Sequence, residues 1–215
     1  MPFSAIRGAR LAGLLPVMLY IPLLADAATP AGREWPVWGG DAGATHFSTL
    51  TDITPANVAA LEVAWTHSSG DHADGSGTTR ATYFQATPLA VNGRLYYCTP
   101  FQRVFALDPD TGAELWQFDP AVKTLTGEGP YPLNCRGVTY WEDSAAPAGA
   151  FCGKRIFYGT SDSELVALDA DTGRPCGDFG AQGRVDLRTD LGEPRAWAAH
   201  PTSPPLVMRE RVVIN

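Results

Sequence analysis

One pattern that occurs twice constrains this chain more than any other feature. Ala106-Leu-Asp108-Pro-Asp-Thr111-Gly112 recurs as Ala167-Leu-Asp169-Ala-Asp-Thr172-Gly173, 61 residues further on. Each copy reads as the end of a strand, a tight turn in which Asp and Thr cap backbone groups and Gly takes a positive φ, and then the next strand. A third unit opens at Thr202-Ser-Pro-Pro-Leu-Val207 and Arg211-Val-Val-Ile-Asn215, echoing Thr87-Pro-Leu-Ala-Val91 and Arg94-Leu-Tyr-Tyr-Cys98. Repeats of a four-stranded unit predict an all-β chain built as a β-propeller, because such a unit buries its faces only against neighbouring units. The repeat is longer than the roughly 40–45 residues of the shorter blade types. Inserted loops must absorb the surplus, and residues 141–153 are the obvious candidate.

The rest of the sequence agrees. With 22 Gly and 18 Pro in 215 residues, the chain is punctuated too often for long helices. Tyr83-Phe84, Leu89-Ala-Val91, Arg94-Leu-Tyr-Tyr-Cys98, Val104-Phe-Ala-Leu107, Lys154-Arg-Ile-Phe-Tyr158 and Glu164-Leu-Val-Ala-Leu168 are rich in aromatic and branched residues and bounded by turn formers, so they read as strands. Asn92-Gly93 is a hairpin signal. The single helical cue is Thr54-Pro55-Ala-Asn-Val-Ala-Ala-Leu61, with Thr54 as N-cap and Pro55 at the first helical position, enough for two turns. Two units and part of a third cannot close a ring, so the chain is expected to be the N-terminal fragment of a larger propeller.

The N-terminus has the layout of a secretory signal. Arg7 and Arg10 precede an apolar run from Leu11 to Ala25, then Ala25-Asp-Ala27. The run is about 15 residues, interrupted by Pro16 and Pro22, and shorter than the roughly 20 a spanning helix needs. Residues 1–27 are therefore expected to be a cleaved signal peptide and the protein to be periplasmic, with peripheral association with the inner membrane left open. The formal charge of −7 becomes −8 without those residues, and no basic stripe offsets it, which argues against a nucleic-acid partner. Cys98, Cys135, Cys152 and Cys176 in an exported chain are expected to be oxidised, with three pairings open.

Several segments resemble the quinoprotein dehydrogenases that use pyrroloquinoline quinone (PQQ). Ala-Leu-Asp-x-x-Thr-Gly-x-x-x-Trp over residues 106–116 is similar to their tryptophan-docking turn, in which Trp116 would wedge against the next blade. Glu34-Trp-Pro-Val-Trp-Gly-Gly40, Thr45-His-Phe-Ser48, Asn57-Val58 and Ala64-Trp65 resemble the segment that opens the family's propeller. Thr99-Pro-Phe-Gln-Arg-Val-Phe-Ala-Leu-Asp108, Asn134-Cys-Arg-Gly-Val-Thr-Tyr140 and Pro201-Thr-Ser-Pro-Pro205 look most like the membrane-type glucose dehydrogenase branch, as do the four cysteine positions. That branch typically carries membrane helices ahead of the propeller, where this sequence has only the signal. The resemblance implies an eight-bladed propeller in the full-length protein. Residues 28–65 would then close the last blade, with a strand around Leu61 to Ser68, and residues 66–215 would supply the first two blades and part of a third.

In a propeller, residues just before each inner strand converge on the axis. That geometry selects Gln85, Arg136 and Thr202, where the resemblance implies a Glu, an Arg and a Thr that bind PQQ. A guanidinium fork suits a carboxylate, a hydroxyl adds a donor, and Gln85 keeps an acceptor while losing the charge. Ser203 joins them. Arg103 is a further candidate for a cofactor carboxylate, against the alternative of a solvated strand residue. Phe101 stands where the glucose dehydrogenases usually carry His, which weakens glucose as the substrate. Cys98 ends a second strand and Cys135 precedes an inner one, so both are expected at the cofactor face, with a Cys98–Cys135 bond preferred and Cys152–Cys176 at the opposite end; the other pairings stay open. His46, His67, His72 and His200 lack metal-ligand spacing, although His200 lies near the expected cofactor face.

The implied activity is oxidation of a sugar or alcohol, with hydride passing to the quinone, Ca²⁺ as Lewis acid and an Asp as base. Electrons would leave to a membrane quinone or a cytochrome. No catalytic residue or metal ligand is identified in this fragment, which is expected to be inactive alone. The alternative is a non-catalytic periplasmic propeller serving as a protein-assembly scaffold. Its lipobox cysteine is missing, and it would have no use for Asn134-Cys-Arg136 at the axial face.

Overall fold

The computed structural model describes residues 34–126, 132–192, 195, 197–201 and 203–214. Alternating apolar strands and turn residues build two four-stranded antiparallel sheets and a hairpin. The first sheet contains β1 (Leu89–Val91), β2 (Arg94–Cys98), β3 (Val104–Leu107) and β4 (Glu114–Phe118), paired in that order. The second repeats the meander with β5 (Thr139–Glu142), β6 (Lys154–Gly159), β7 (Glu164–Asp169) and β8 (Arg184–Asp186). A hairpin of β9 (Leu206–Met208) and β10 (Arg211–Val213) begins a third unit. β1 packs on β5 and β5 on β9, as the innermost strands of successive blades must.

Period-two alternation divides each sheet between two neighbours. In the first sheet Tyr96, Cys98, Val104 and Ala106 face the second, where Val138, Ile156, Val166 and Leu168 meet them in one buried core. Tyr97, Phe105 and Leu107 face the other way, onto Trp65 and Leu95. Phe157 of β6 looks toward the third unit, packing with Trp141, Phe179, Val207 and Val212. The strand runs expected from the sequence form, except that Tyr83-Phe84 stays outside any strand and exposed. Asn92 and Gly93 take φ of 51° and 66°, the left-handed pair that a two-residue hairpin requires.

Both Asp-x-x-Thr-Gly turns work as their sequences imply. Asp108 Oδ1 accepts from the Thr111 amide and hydroxyl, and Asp169 Oδ1 does the same with Thr172. Gly173 has φ 71°, and a Cβ there would lie 2.5 Å from the Trp116 ring. Trp116 Nε1 donates to the Ala170 carbonyl at 3.0 Å, so the indole of blade 1 lies on the turn of blade 2. Asp169 is buried and its Oδ2 also accepts from the Cys152 amide at 2.7 Å. Asp169→Ala strands that buried donor. A loss of about 1–3 kcal/mol is expected, read as a lower Tm of the full-length protein, with a smaller fall for Asp108→Ala, whose acidic turn faces solvent.

One expectation changes. The two-turn helix is a single 3₁₀ turn, Val58–Ala60, whose N-cap is Asn57 rather than Thr54. Asn57 Oδ1 instead accepts from the Thr54 amide, and every residue of the stretch is exposed, so no apolar face exists to stabilise a longer helix. Residues 61–68 form no ladder among the described residues, yet Trp65, His67, Ser69 and Asp71 are half-buried while the residues between them are exposed. Trp65 Nε1 donates to the Pro109 carbonyl at 3.0 Å, so it rests on the blade 1 turn as Trp116 rests on that of blade 2. Further back, Trp35 pairs with Ala90 on the inner edge of β1. The expected signal peptide, residues 1–27, lies outside the described residues.

Candidate functional site

The β1 start, the β2 end and the β3 start of blade 1 lie at the same end of the molecule as the loops entering β5 and β9. At the seam the Thr87 amide donates to the Arg136 carbonyl at 3.2 Å, which brings residues 85–87 beside residues 134–136. Cys98 and Cys135 are joined by a disulfide that clips blade 1 to blade 2 at this end. The other bond, Cys152–Cys176, lies at the opposite end of blade 2. The preferred pairing is thus the one formed.

A small cleft opens between the blade ends. Its walls are Gln102 from the β2–β3 turn, residues 134–137 before β5, Gly159 at the end of β6, and Pro201 and Ser203 before β9. A Cβ on Gly159 would lie 2.4 Å from the Pro201 ring, so glycine there lets the third unit approach this closely. Arg136 is exposed, and its guanidinium has no hydrogen-bond or ion-pair partner among the described residues. Among the described residues no carboxylate lines the cleft. In an acidic chain, an unpaired cation flanked by amide and hydroxyl groups is a ready anion site.

The expected site residues separate into groups. Arg136, Cys135 and Ser203 share the cleft wall. Gln85 adjoins it: its Oε1 accepts from Asn134 Nδ2 at 2.8 Å. Cys98 is wholly buried behind Cys135, so it supports the wall without reaching the cleft. Thr202 lies outside the described residues, between two residues that line the cleft.

Arg103 points elsewhere. Its Nε donates to Asp71 Oδ2 at 2.9 Å, its Nη2 donates to Asp71 Oδ1, and Nη1 reaches Gln117 Oε1 at 3.2 Å. The Asp71 side chain is only 4% exposed, and its hydrogen bonds hold the Arg103 guanidinium above the usual arginine range. Arg103 is neither a solvated strand residue nor a wall of the cleft, because an almost buried carboxylate already holds it. Thr99 also donates to Asp71, so the pair anchors residues 69–71 to blade 1.

Sequence reasoning missed Gln102, and placed Asn134 at the axial face within Asn134-Cys-Arg136 without giving it a role of its own. Gln102 is 2% exposed and has φ 69°, a left-handed backbone that costs a side-chain-bearing residue about 1–2 kcal/mol. Its Nε2 donates to the Asn134 carbonyl at 2.7 Å and to the Pro100 carbonyl at 3.2 Å. Nothing in its sequence context signals this. Asn134 is shared with a second cleft lined by Arg80, Ser161, Trp197 and His200, which places His200 beside the candidate site. Among the described residues the one close grouping of metal donors is Cys152, Cys176 and Asp178. Its sulfurs are bonded to each other and Asp178 pairs with Arg155, so it is no cation site.

Residues 35–215 match the family described as the PQQ glucose/ethanol/alcohol dehydrogenase β-propeller domain. The chain is 36% identical over 197 residues to the glycerol dehydrogenase large subunit of Gluconobacter thailandicus, covering 91% of this chain and 26% of that one. It is 34% identical over 195 residues to quinoprotein glucose dehydrogenase A of Acinetobacter calcoaceticus, covering 86% and 24%. Among solved structures, the quinohemoprotein alcohol dehydrogenase of Comamonas testosteroni superposes with a TM-score of 0.61 at 28% identity, covering 84% of this chain and 23% of that one. The chain therefore spans about a quarter of the length of these relatives. Two complete blades, a third begun and a family match over nearly the whole described region agree: the chain belongs to the PQQ-dependent dehydrogenase family, as part of its β-propeller domain.

Proposed function

We propose that the full-length protein oxidises a sugar or polyol with PQQ, and that the cleft between blades 1 and 2 holds one carboxylate edge of that cofactor. The observation that carries this reading is the exposed Arg136 guanidinium, without a partner among the described residues and with no acidic neighbour in its cleft. The donor set fits the group: Arg136 would pair with a carboxylate, and the Ser203 and Thr202 hydroxyls and the Asn134 amide would donate to the remaining oxygens. PQQ, when bound, supplies the two-electron acceptor. The residues of this chain bind and orient it, and no general base or Ca²⁺ ligand is assigned among them.

Relatives named for glycerol and glucose oxidation support a polyhydroxylated substrate. A membrane quinone or a cytochrome is the proposed acceptor, and the periplasm the proposed location, with residues 1–27 as the leader. The half-buried alternation of residues 65–71 and the docking of Trp65 support the proposal that residues 28–65 close the last blade, with a strand around Leu61 to Ser68. A non-catalytic scaffold gives an unpaired arginine at the blade ends no work.

Arg136→Ala in the full-length apo-protein is expected to weaken PQQ binding at least tenfold, about 1.4 kcal/mol, measured by titrating PQQ against protein fluorescence. Arg136→Lys should fall between, keeping charge without the fork. Wild-type affinity in Arg136→Ala would remove the cofactor from this cleft.

A further inference from the structure

We propose that Gln102 is a positioning residue for the cofactor: it bolts the loop carrying Arg136 to blade 1, and so sets where the guanidinium meets a bound carboxylate. The inference rests on the reading of the cleft as the PQQ site. It starts from a conflict between backbone and side chain. Gln102 has φ 69°, where glycine is the default residue, and its amide donates to the Thr99 carbonyl at 2.9 Å to close the tight turn between β2 and β3. A glycine would hold that turn without strain. A glutamine in such a conformation persists where its side chain is needed, and strain of this kind concentrates at functional sites.

The side chain has a defined task. It is almost fully buried, and its Nε2 reaches across the seam to the Asn134 carbonyl at 2.7 Å. Asn134 is two residues before Arg136, and its own amide donates to Gln85 Oε1 at 2.8 Å. Gln102, Asn134 and Gln85 thus link the blade 1 turn to the loop entering β5 and that loop back to the residues before β1. Cys135, between Asn134 and Arg136, is tied to Cys98. The loop is held on one side by a covalent bond and on the other by this glutamine, which leaves the guanidinium little freedom except that of its own rotamers. Preorganising a charged donor in this way raises affinity by removing an ordering cost at the moment of binding.

The test uses Gln102→Gly, which relaxes the backbone and deletes the bolt. Gln102→Asn is the second variant: it tolerates left-handed φ but is too short to reach the Asn134 carbonyl. Both are made in the full-length protein beside Arg136→Ala. For both, PQQ affinity of the apo-protein is expected to fall at least tenfold while Tm stays close to wild type, the easier left-handed backbone offsetting the lost hydrogen bonds. Wild-type affinity in both Gln102 variants with a loss in Arg136→Ala would overturn the inference and leave the cofactor reading standing. Wild-type affinity in all three would remove both. A lowered Tm with kcat lost even at saturating PQQ would make Gln102 a structural residue and likewise overturn the proposal.

Discussion

Trp116→Ala is expected to destabilise the full-length propeller by about 3 kcal/mol, at the lower end of the cost of truncating a large aromatic because the indole is only half-buried. The ring lies flat on the backbone of Gly173, close enough that any β-carbon there would overlap it, and it contacts Tyr96 at 5.9 Å between centroids. The loss is of packing rather than of hydrogen bonding. The Ala170 carbonyl that accepts from the indole also accepts from Tyr96 Oη at 3.1 Å and Arg94 Nη1 at 3.2 Å, so it stays satisfied. Trp116→Phe should therefore recover most of the stability. Gly173→Val attacks the same contact from the other side: it places a β-carbon in the ring and a branched side chain at φ 71°, and should cost at least as much. Denaturant unfolding of the full-length protein checks all three. Equal stability of Trp116→Ala and wild type would show that the seam between the first two blades does not depend on the indole.

The architecture was legible because a propeller writes itself locally. Every turn needs its Asp, Thr and Gly in sequence order, so the two turns betrayed their blades without any long-range information. The axial positions were legible in part for a related reason: once the inner strands are located, topology alone brings the residues before them toward one place, and Arg136 lines the cleft while Gln85 adjoins it; Thr202 lies outside the described residues. What sequence hid depends on partners far apart in the chain. Trp65 docks as Trp116 does, but its spacing to the turn it covers differs from that of Trp116, so the repeat offset could not reveal it. Arg103 was read without knowledge of Asp71, which comes from 32 residues earlier and neutralises it. Gln102 carries no mark in the sequence, since only the backbone dihedral and the reach of its amide single it out. The Thr54-Pro55 helix signal was sound local chemistry with no buried face to support it.

The largest effect should follow from removing the Cys98–Cys135 disulfide. Chain-entropy reasoning for a bond closing a loop of 37 residues gives about 4 kcal/mol at 25 °C, before any relaxation of the seam, and both residues are buried. Cys98→Ala/Cys135→Ala is therefore expected to lower stability by roughly that amount. The Cys152–Cys176 bond closes a loop of 24 residues, so its removal should cost only slightly less. Position separates the two bonds. Cys135 is the immediate neighbour of Arg136 and part of the cleft wall, whereas Cys152–Cys176 ties the insertion after β5 to the strand-connecting excursion at the far end of blade 2. The two double variants should thus fall together in Tm and apart in PQQ affinity, with only the Cys98/Cys135 variant losing cofactor. If both double variants lose PQQ equally, affinity is tracking global stability, and the disulfide has no particular hold on the loop that carries the arginine.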